Sequence, residues 1–450
     1  MRKQFYRYFT VALLAAAVTL TAASCHKKPR NEQEQKDKKE IVKEYIYAAM
    51  EYYYYWAEQI GRYSTNNKEI EDYFYSLLAR QDRWSWMTDG DGFRSMETAV
   101  YTSYGFNFVQ PIDYYDDYGV YVAYAESGSP AAEAGIERGY RLTAINGTPV
   151  ETLIANNTFN TEVNKKSNKF TFVDRSGKSK DYNLTQKSFQ SKSVLHSTIF
   201  TSADYQPLPT GKKVGYILYN SFTGSLSNEI ISALTSMKNG GVTDLILDLR
   251  YNGGGDVSVL CNMANYLAPA NADKKLFLTL KHNTQNREMD ESFFIKREAQ
   301  ALDLTRLFVI IDRYTASASE SLINCLKPYM QVHTIGGQTY GKPNGMYVIT
   351  YPNDATISNV EYAFLPICFY CMNADDKADY DKGLIPENKR SDDVYHPFSP
   401  QEDLIGAALH YIVNGTYPAL PTKTKSGTAV GTRAEFKQNR VIGAYKWLKK

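Results

Sequence analysis

The chain has 450 residues, 43% hydrophobic and 22% charged, an ordinary globular balance that excludes bulk disorder and a multi-span membrane protein. That length exceeds one compact core and fits roughly two to four domains. The 51 basic and 49 acidic residues nearly cancel, so nothing draws the chain to nucleic acid by charge.

Arg2, Lys3 and Arg7 precede an apolar run over residues 9–20, then Thr21-Ala22-Ala23-Ser24 and Cys25. The run is too short to span a bilayer and has the layout of a secretory signal over residues 1–24. Removing it takes away three cations and no acid, moving the formal charge from +2 to −1. The small residues before Cys25 resemble a bacterial lipobox, which implies a lipid on Cys25. A periplasmic or cell-surface protein anchored to a bacterial membrane through that lipid is expected, with polar residues 25–40 as a tether. Over residues 41–100, Ile41, Tyr45, Ala48, Tyr52, Tyr55 and Trp56 recur at spacings of three and four, which predicts a helical domain. Asp89-Gly90-Asp91-Gly92 reads as a turn closing its helices.

Residues 101–190 switch to short strands such as 119–124 and 141–145. Ser129-Pro130-Ala131-Ala132-Glu133-Ala134-Gly135-Ile136 reads as a short helix with proline in its first turn, and Asn146-Gly147 as a type I′ hairpin. This string resembles a PDZ domain of the bacterial protease type, apart from Gly139-Tyr140 where that family has aspartate after the glycine. The resemblance places a carboxylate-binding loop at Tyr104, Gly105, Phe106, Asn107 and Phe108, where backbone N–H groups would capture a peptide C-terminus. A small β-domain that binds nothing is the competing reading.

Across residues 191–415, strands at 213–219, 243–249, 307–311 and 332–335 alternate with helices at 225–237, 257–267 and 317–329. Strands apolar on both faces, separated by helices, define an α/β domain with a mostly parallel sheet. Cys368 and Cys371 form a CxxC within a strand-like run, without a second pair or a nearby histidine to complete a zinc site. They read as packed thiols or one disulfide. The tail, residues 416–450, is basic and polar with one amphipathic stretch at 441–448 and carries no functional signal.

Two strand ends carry the chemistry. After the strand ending at Ile311, Thr315-Ala316-Ser317-Ala318-Ser319-Glu320 opens a helix, so Ser317 lies at a strand's C-terminal edge beside a helix N-terminus. Such a serine is either a helix cap or a nucleophile whose developing anion meets N–H donors. After the other buried strand, Asp248-Leu249-Arg250-Tyr251-Asn252-Gly253-Gly254-Gly255 lets backbone amides approach a ligand closely, as an oxyanion site requires. No Lys-Ser or Lys-Thr follows, which speaks against a phosphate loop. Gly336-Gly337-Gln338-Thr339-Tyr340-Gly341-Lys342-Pro343 places a lysine in a glycine-flanked turn, while no histidine holds a comparable place. A lysine acts as a base only when burial lowers its pKa by about 3 units from ~10.4, and no acid lies between His333 and Asn353.

These motifs closely resemble the carboxyl-terminal processing proteases, PDZ-containing serine peptidases with a Ser/Lys dyad. TASASE, DLRxNxGG and TxGK stand in family order, Ser317 and Lys342 are 25 positions apart as in the family, and Gly383-Leu384-Ile385-Pro386-Glu387 is similar to its G-I-x-P-D segment. The resemblance covers roughly residues 40–415 and implies a ClpP/crotonase-like α/β fold with no cofactor and no metal. It makes Ser317 the nucleophile, Lys342 the general base, and the N–H groups of Gly254 and Ala318 the oxyanion hole. The implied partners are polypeptides bound by their C-termini. Two positions depart from the family. Met346 stands where a glutamine usually orients the lysine, and Gly253 replaces the proline before the paired glycines. A catalytically silent PDZ adaptor is the alternative that the missing glutamine favours.

Overall fold

A computed structural model describes residues 29–64, 68–111, 117–353, 356–420, 433–434 and 444–447, with backbone alone for 29–33 and 444–447. The expected signal, lipobox and Cys25 lie outside the described residues. Helix α1 (Pro29–Tyr53) is rich in Lys, Glu and Gln, has no internal glycine or proline, and runs unbroken for 25 residues. Residues 29–40, expected as a tether, are therefore its first turns, and Lys38 and Lys39 pair with Glu361 and Glu69, each at 2.7 Å. Helix α2 (Ile70–Ser76) follows, then strand β1 (Trp86–Asp89) and helix α3 (Gly90–Thr98). The Asp89-Gly90-Asp91-Gly92 string opens α3 and closes nothing, because Asp89 Oδ1 accepts the Gly92 N–H at 2.8 Å. Turn formers and helix caps draw on the same residues, which is why the string misleads.

The PDZ module comprises β2 (Val100–Ser103), β3 (Phe106–Val109), β4 (Val120–Ala125), α4 (Pro130–Glu133), β5 (Arg141–Ile145), β6 (Thr148–Pro149), α5 (Val150–Ala155), α6 (Phe159–Val163), β7 (Ser167–Val173), β8 (Ser179–Thr185) and β9 (Lys187–Gln190). Its sheet runs β3-β4-β5-β7-β8, with β3 at one edge, and β2 pairs β9 where the chain enters and leaves. Asn146 and Gly147 have φ of 52° and 83°, as a type I′ turn between β5 and β6 requires.

The α/β region contains β10 (Val194–Phe200), β11 (Val214–Tyr219), α7 (Ser227–Asn239), β12 (Asp244–Asp248), α8 (Val257–Leu267), β13 (Leu276–His282), β14 (Glu291–Phe294), β15 (Arg306–Ile311), α9 (Ala318–Leu326), β16 (Gln331–Gly336), β17 (Asn344–Tyr351), β18 (Tyr362–Leu365), β19 (Ile367–Met372), β20 (Asn388–Lys389) and α10 (Asp403–Asn414). A last strand, β21 (Ala444–Trp447), comes from the tail. One sheet, β10-β11-β12-β15-β16-β20, is parallel except for its first pair, as the alternation of strands and helices predicts. The other, β1-β18-β17-β19-β13-β14, is antiparallel, with β21 added parallel to β17. This second sheet was not anticipated, and β1 joins it from the helical segment, pairing Trp86 with Leu365. One apolar core packs the antiparallel sheet, α1 to α3 and α7 to α9 against one face of the parallel sheet, while α10 covers the other face. Cys368 and Cys371 are buried free thiols on β19, and burial pushes Cys371 up to about 12.

A buried charge network joins the PDZ module to the α/β region. Arg138 donates to Tyr251 Oη at 2.7 Å and Asp392 Oδ1 at 2.5 Å, while Arg250 reaches Asp248, Asp392 and Glu402, each at 2.7 Å. Burial alone would push the Asp392 carboxyl up, but the two guanidiniums hold it at about 2. Asp248 and Arg250 of the glycine-loop motif thus serve architecture, bracing the loop from beneath.

Candidate active site

Loop 249–255 leaves the end of β12 and is stitched to the turn that opens α9. Thr315 Oγ1 donates to Leu249 O at 2.8 Å, and the Ala316 N–H and Ser319 Oγ both donate to Asn252 O at 3.1 Å. Gly254, at φ +104°, passes so close that an added Cβ would lie 3.0 Å from Ala318 N and 3.1 Å from Ser317 Cβ. Gly254 and Ala318 therefore meet at the serine. The Gly254 N–H itself donates to Asn252 Oδ1 at 2.9 Å, a partner that sequence reading did not foresee.

Ser317 stands at the N-cap of α9, fully buried, with φ 57° and ψ −111°. A non-glycine residue in that region carries about 1–3 kcal/mol of backbone strain, which persists only where surroundings impose it. The imposing group is Glu320, whose Oε2 accepts both the Ser317 N–H and the Lys342 N–H at 2.8 Å. Its Oε1 accepts the Gly341 N–H at 2.8 Å and Thr339 Oγ1 at 2.5 Å. One buried carboxylate thus ties the serine turn to the lysine turn. Burial pushes this carboxyl up, and the four donors pull it down. In sequence Glu320 is one letter of the TASASE motif, and a serine followed three residues later by glutamate is also a capping signal, which Ser317 and Glu320 satisfy.

Lys342 is fully buried, and burial pushes its amine down from 10.5 to about 7, against the upward pull of Asp82, Cys371 and Glu320. Its Nζ lies 3.3 Å from Met346 Sδ and 3.5 Å from Trp84 O. The residue in the glutamine's place therefore still touches the amine, now through a weak thioether acceptor. Gln338 is turned away to donate to Lys382 O at 2.6 Å, and Thr339 is committed to Glu320.

Residues 82–85 pack beside the lysine turn, and no motif announces them. Trp84 Nε1 donates to Gly341 O at 3.1 Å, and Arg83 Nη2 donates to Gly341 O at 3.0 Å and Asp381 O at 2.7 Å. Asp82 holds the segment in shape by accepting the Trp84 N–H at 2.9 Å and Tyr54 Oη at 2.7 Å. Removing the Asp82 charge should lower the lysine's pKa further. An Asp82→Asn variant is expected to move the acidic limb of a pH–rate profile to lower pH, and an unmoved limb would show that the charge does not reach the amine.

In the PDZ module, Tyr104, Gly105, Phe106, Asn107 and Phe108 line one side of a groove whose other side includes Phe159 and Val163 of α6. Tyr104 and Phe108 are buried in the module's core and Phe106 is half-buried; Phe106, Asn107 and Phe108 belong to strand β3 and not to the expected loop, which is reduced to the turn at Tyr104-Gly105. Gly105 has φ +81° and lies against Ser129, where a Cβ would come within 2.0 Å of the serine's own.

The arrangement has the parts of a serine hydrolase: a strained serine at a helix N-terminus, a glycine loop beside it, and a buried lysine of lowered pKa tied to the serine turn through Glu320. Residues 213–367 match Peptidase family S41, residues 42–86 the Peptidase S41 N-terminal domain, and residues 121–155 the PDZ domain. The α/β region over residues 213–367 thus resembles the S41 peptidases, and residues 121–155 resemble a PDZ domain. Among curated proteins, a probable CtpA-like serine protease of Staphylococcus aureus is 28% identical over 217 residues, covering 48% of this chain and 40% of that protein. A counterpart in Staphylococcus saprophyticus is 26% identical over 215 residues with the same coverage. The match thus spans less than half the length of these relatives. A crystal structure of a Bacteroides fragilis protein described as an S41 protease shares the fold at TM-score 0.66 and 23% identity, covering 88% of this chain and all of that one.

Proposed function

We propose that the chain is a serine endopeptidase that cuts cell-envelope polypeptides through an acyl-enzyme on Ser317, with neutral Lys342 as general base. The observation that carries this reading is the shared carboxylate oxygen of Glu320, which brings the backbones of Ser317 and Lys342 together around an amine pushed down to about 7. Lys342 takes the hydroxyl proton as Ser317 Oγ attacks the scissile carbonyl, then returns it to the leaving amine. The Ala318 N–H at the helix start and the Gly254 N–H, released from Asn252, receive the oxyanion. Edge strand β3 and the groove beside it support capture of substrate C-termini by strand addition, with the turn at Tyr104-Gly105 that precedes β3 receiving the carboxylate. The basic, apolar and small-residue pattern of residues 1–25 supports export and lipid anchoring at Cys25 to a bacterial membrane.

The test is cleavage of an unstructured polypeptide across a pH series, with phosphonate labelling of the serine. Acylation is expected to rise with pH through a midpoint near 7, as Lys342 loses its proton, and label is expected on Ser317 and not on a Ser317→Ala variant. A rate flat from mildly acidic to alkaline pH would remove Lys342 from the base role. Absence of both cleavage and label would favour a silent PDZ adaptor.

A further inference from the structure

The tail returns to the lysine strand. β21 pairs with β17 in parallel register, Gly345 with Ala444, Met346 with Tyr445, Tyr347 with Lys446 and Val348 with Trp447. β19 pairs Gly345 and Met346 from one edge, and β18 pairs Ile349, Thr350 and Tyr351 from the opposite edge. β21 therefore fills the part of that second edge which β18 leaves open. Met346, whose sulfur touches the Lys342 amine, is one of the residues it pairs with. β21 also contacts α8, the helix that follows the glycine loop. Earlier in the tail, the Ala434 N–H donates to Gln110 Oε1 at 2.7 Å, just past edge strand β3, and Ala434 packs on the PDZ core. Two separate anchor points thus hold the C-terminal segment across the PDZ module and the lysine strand.

An open strand edge presents N–H and C=O groups that any extended chain can pair with, whatever its side chains. We propose that the β17 edge over residues 345–348 is a strand-addition site for extended polypeptide, and that residues 444–447 occupy it as an intramolecular competitor. The proposal rests on the peptidase reading for the identity of the displaced ligand. A tethered segment competes at an effective concentration of about millimolar, so its presence raises KM and leaves kcat alone.

The experiment uses the full chain with Tyr445→Pro and Lys446→Pro together, since adjacent prolines remove the ladder donor in either phase of the pairing. Hydrogen exchange over residues 345–348 is expected to quicken about tenfold, and a synthetic peptide of residues 440–450 should slow it again. KM for an unstructured polypeptide is expected to fall about tenfold at constant kcat, with that peptide acting as a competitive inhibitor. Unchanged exchange, or faster exchange with KM unmoved, overturns the proposal. If exchange responds as described while neither parent nor variant cleaves or takes up phosphonate, the peptidase reading fails and the docked edge stands.

Discussion

Replacing Lys342 with methionine is expected to abolish turnover and, at neutral pH, to stabilise the fold. The side chain is fully buried, and burial is the largest influence on its amine, which titrates at about 7 against an ordinary 10.5. Between those values the unfolded chain holds a proton that the folded chain lacks, so the parent's stability rises with pH across the window. Below about 7 the folded state bears the full cost of the buried amine, and above 10.5 it bears none. Methionine has a similar length and no charge, so the variant should gain about 4 kcal/mol near pH 7, with the gain shrinking to nothing toward pH 10.5. Turnover should fall about 10⁴-fold or more, since loss of one member of a catalytic unit removes nearly all that the unit contributes. Urea midpoints over a pH series, with kcat/KM measured alongside, check both halves. A variant less stable than the parent at pH 7 would mean that the amine is charged and paired in the folded state.

The second large effect concerns Glu320. Its carboxylate accepts four donors, two of them the backbone amides of Ser317 and Lys342. Glutamine has the same shape, but it turns one acceptor into a donor that faces existing donors. A Glu320→Gln variant is expected to lose about 2 kcal/mol of stability, because buried N–H groups are left unmatched. It should lose about 10²-fold in kcat/KM, because the turn bearing Ser317 relaxes from its strained φ and ψ once the carboxylate no longer ties it to the lysine turn. Phosphonate labelling at fixed denaturant-free conditions separates the two effects. Labelling at the parental rate in a folded variant would reduce Glu320 to an ordinary helix cap.

Much of the architecture was legible in the chain. The parallel sheet followed from runs apolar on both faces, which only a strand covered on both sides can bury, and helix α8 came out at the residues that periodicity assigns. The Asn146-Gly147 turn and the Ser129-Pro130 helix start were readable because their conformations demand those residues. Ser317, Lys342 and Gly254 were singled out because they stand in motifs near strand ends, where parallel α/β sheets present chemistry.

What sequence could not supply are contacts between distant segments whose residues are individually unremarked. Residues 29–40 look like a tether by polarity, yet they extend a helix whose next turns bury Val42, Ile46, Ala49 and Met50 in the core, and propagation from an anchored helix is cheap. The Trp84 carbonyl beside Lys342 is a backbone atom, which no residue type advertises. The tail shows no motif because strand addition is a backbone interaction, and pairing with β17 needs only an open edge within reach. Local order was therefore written in residue type and spacing, while the pocket around the lysine was decided by tertiary packing, which alone determines what is buried together and so which amine loses its proton.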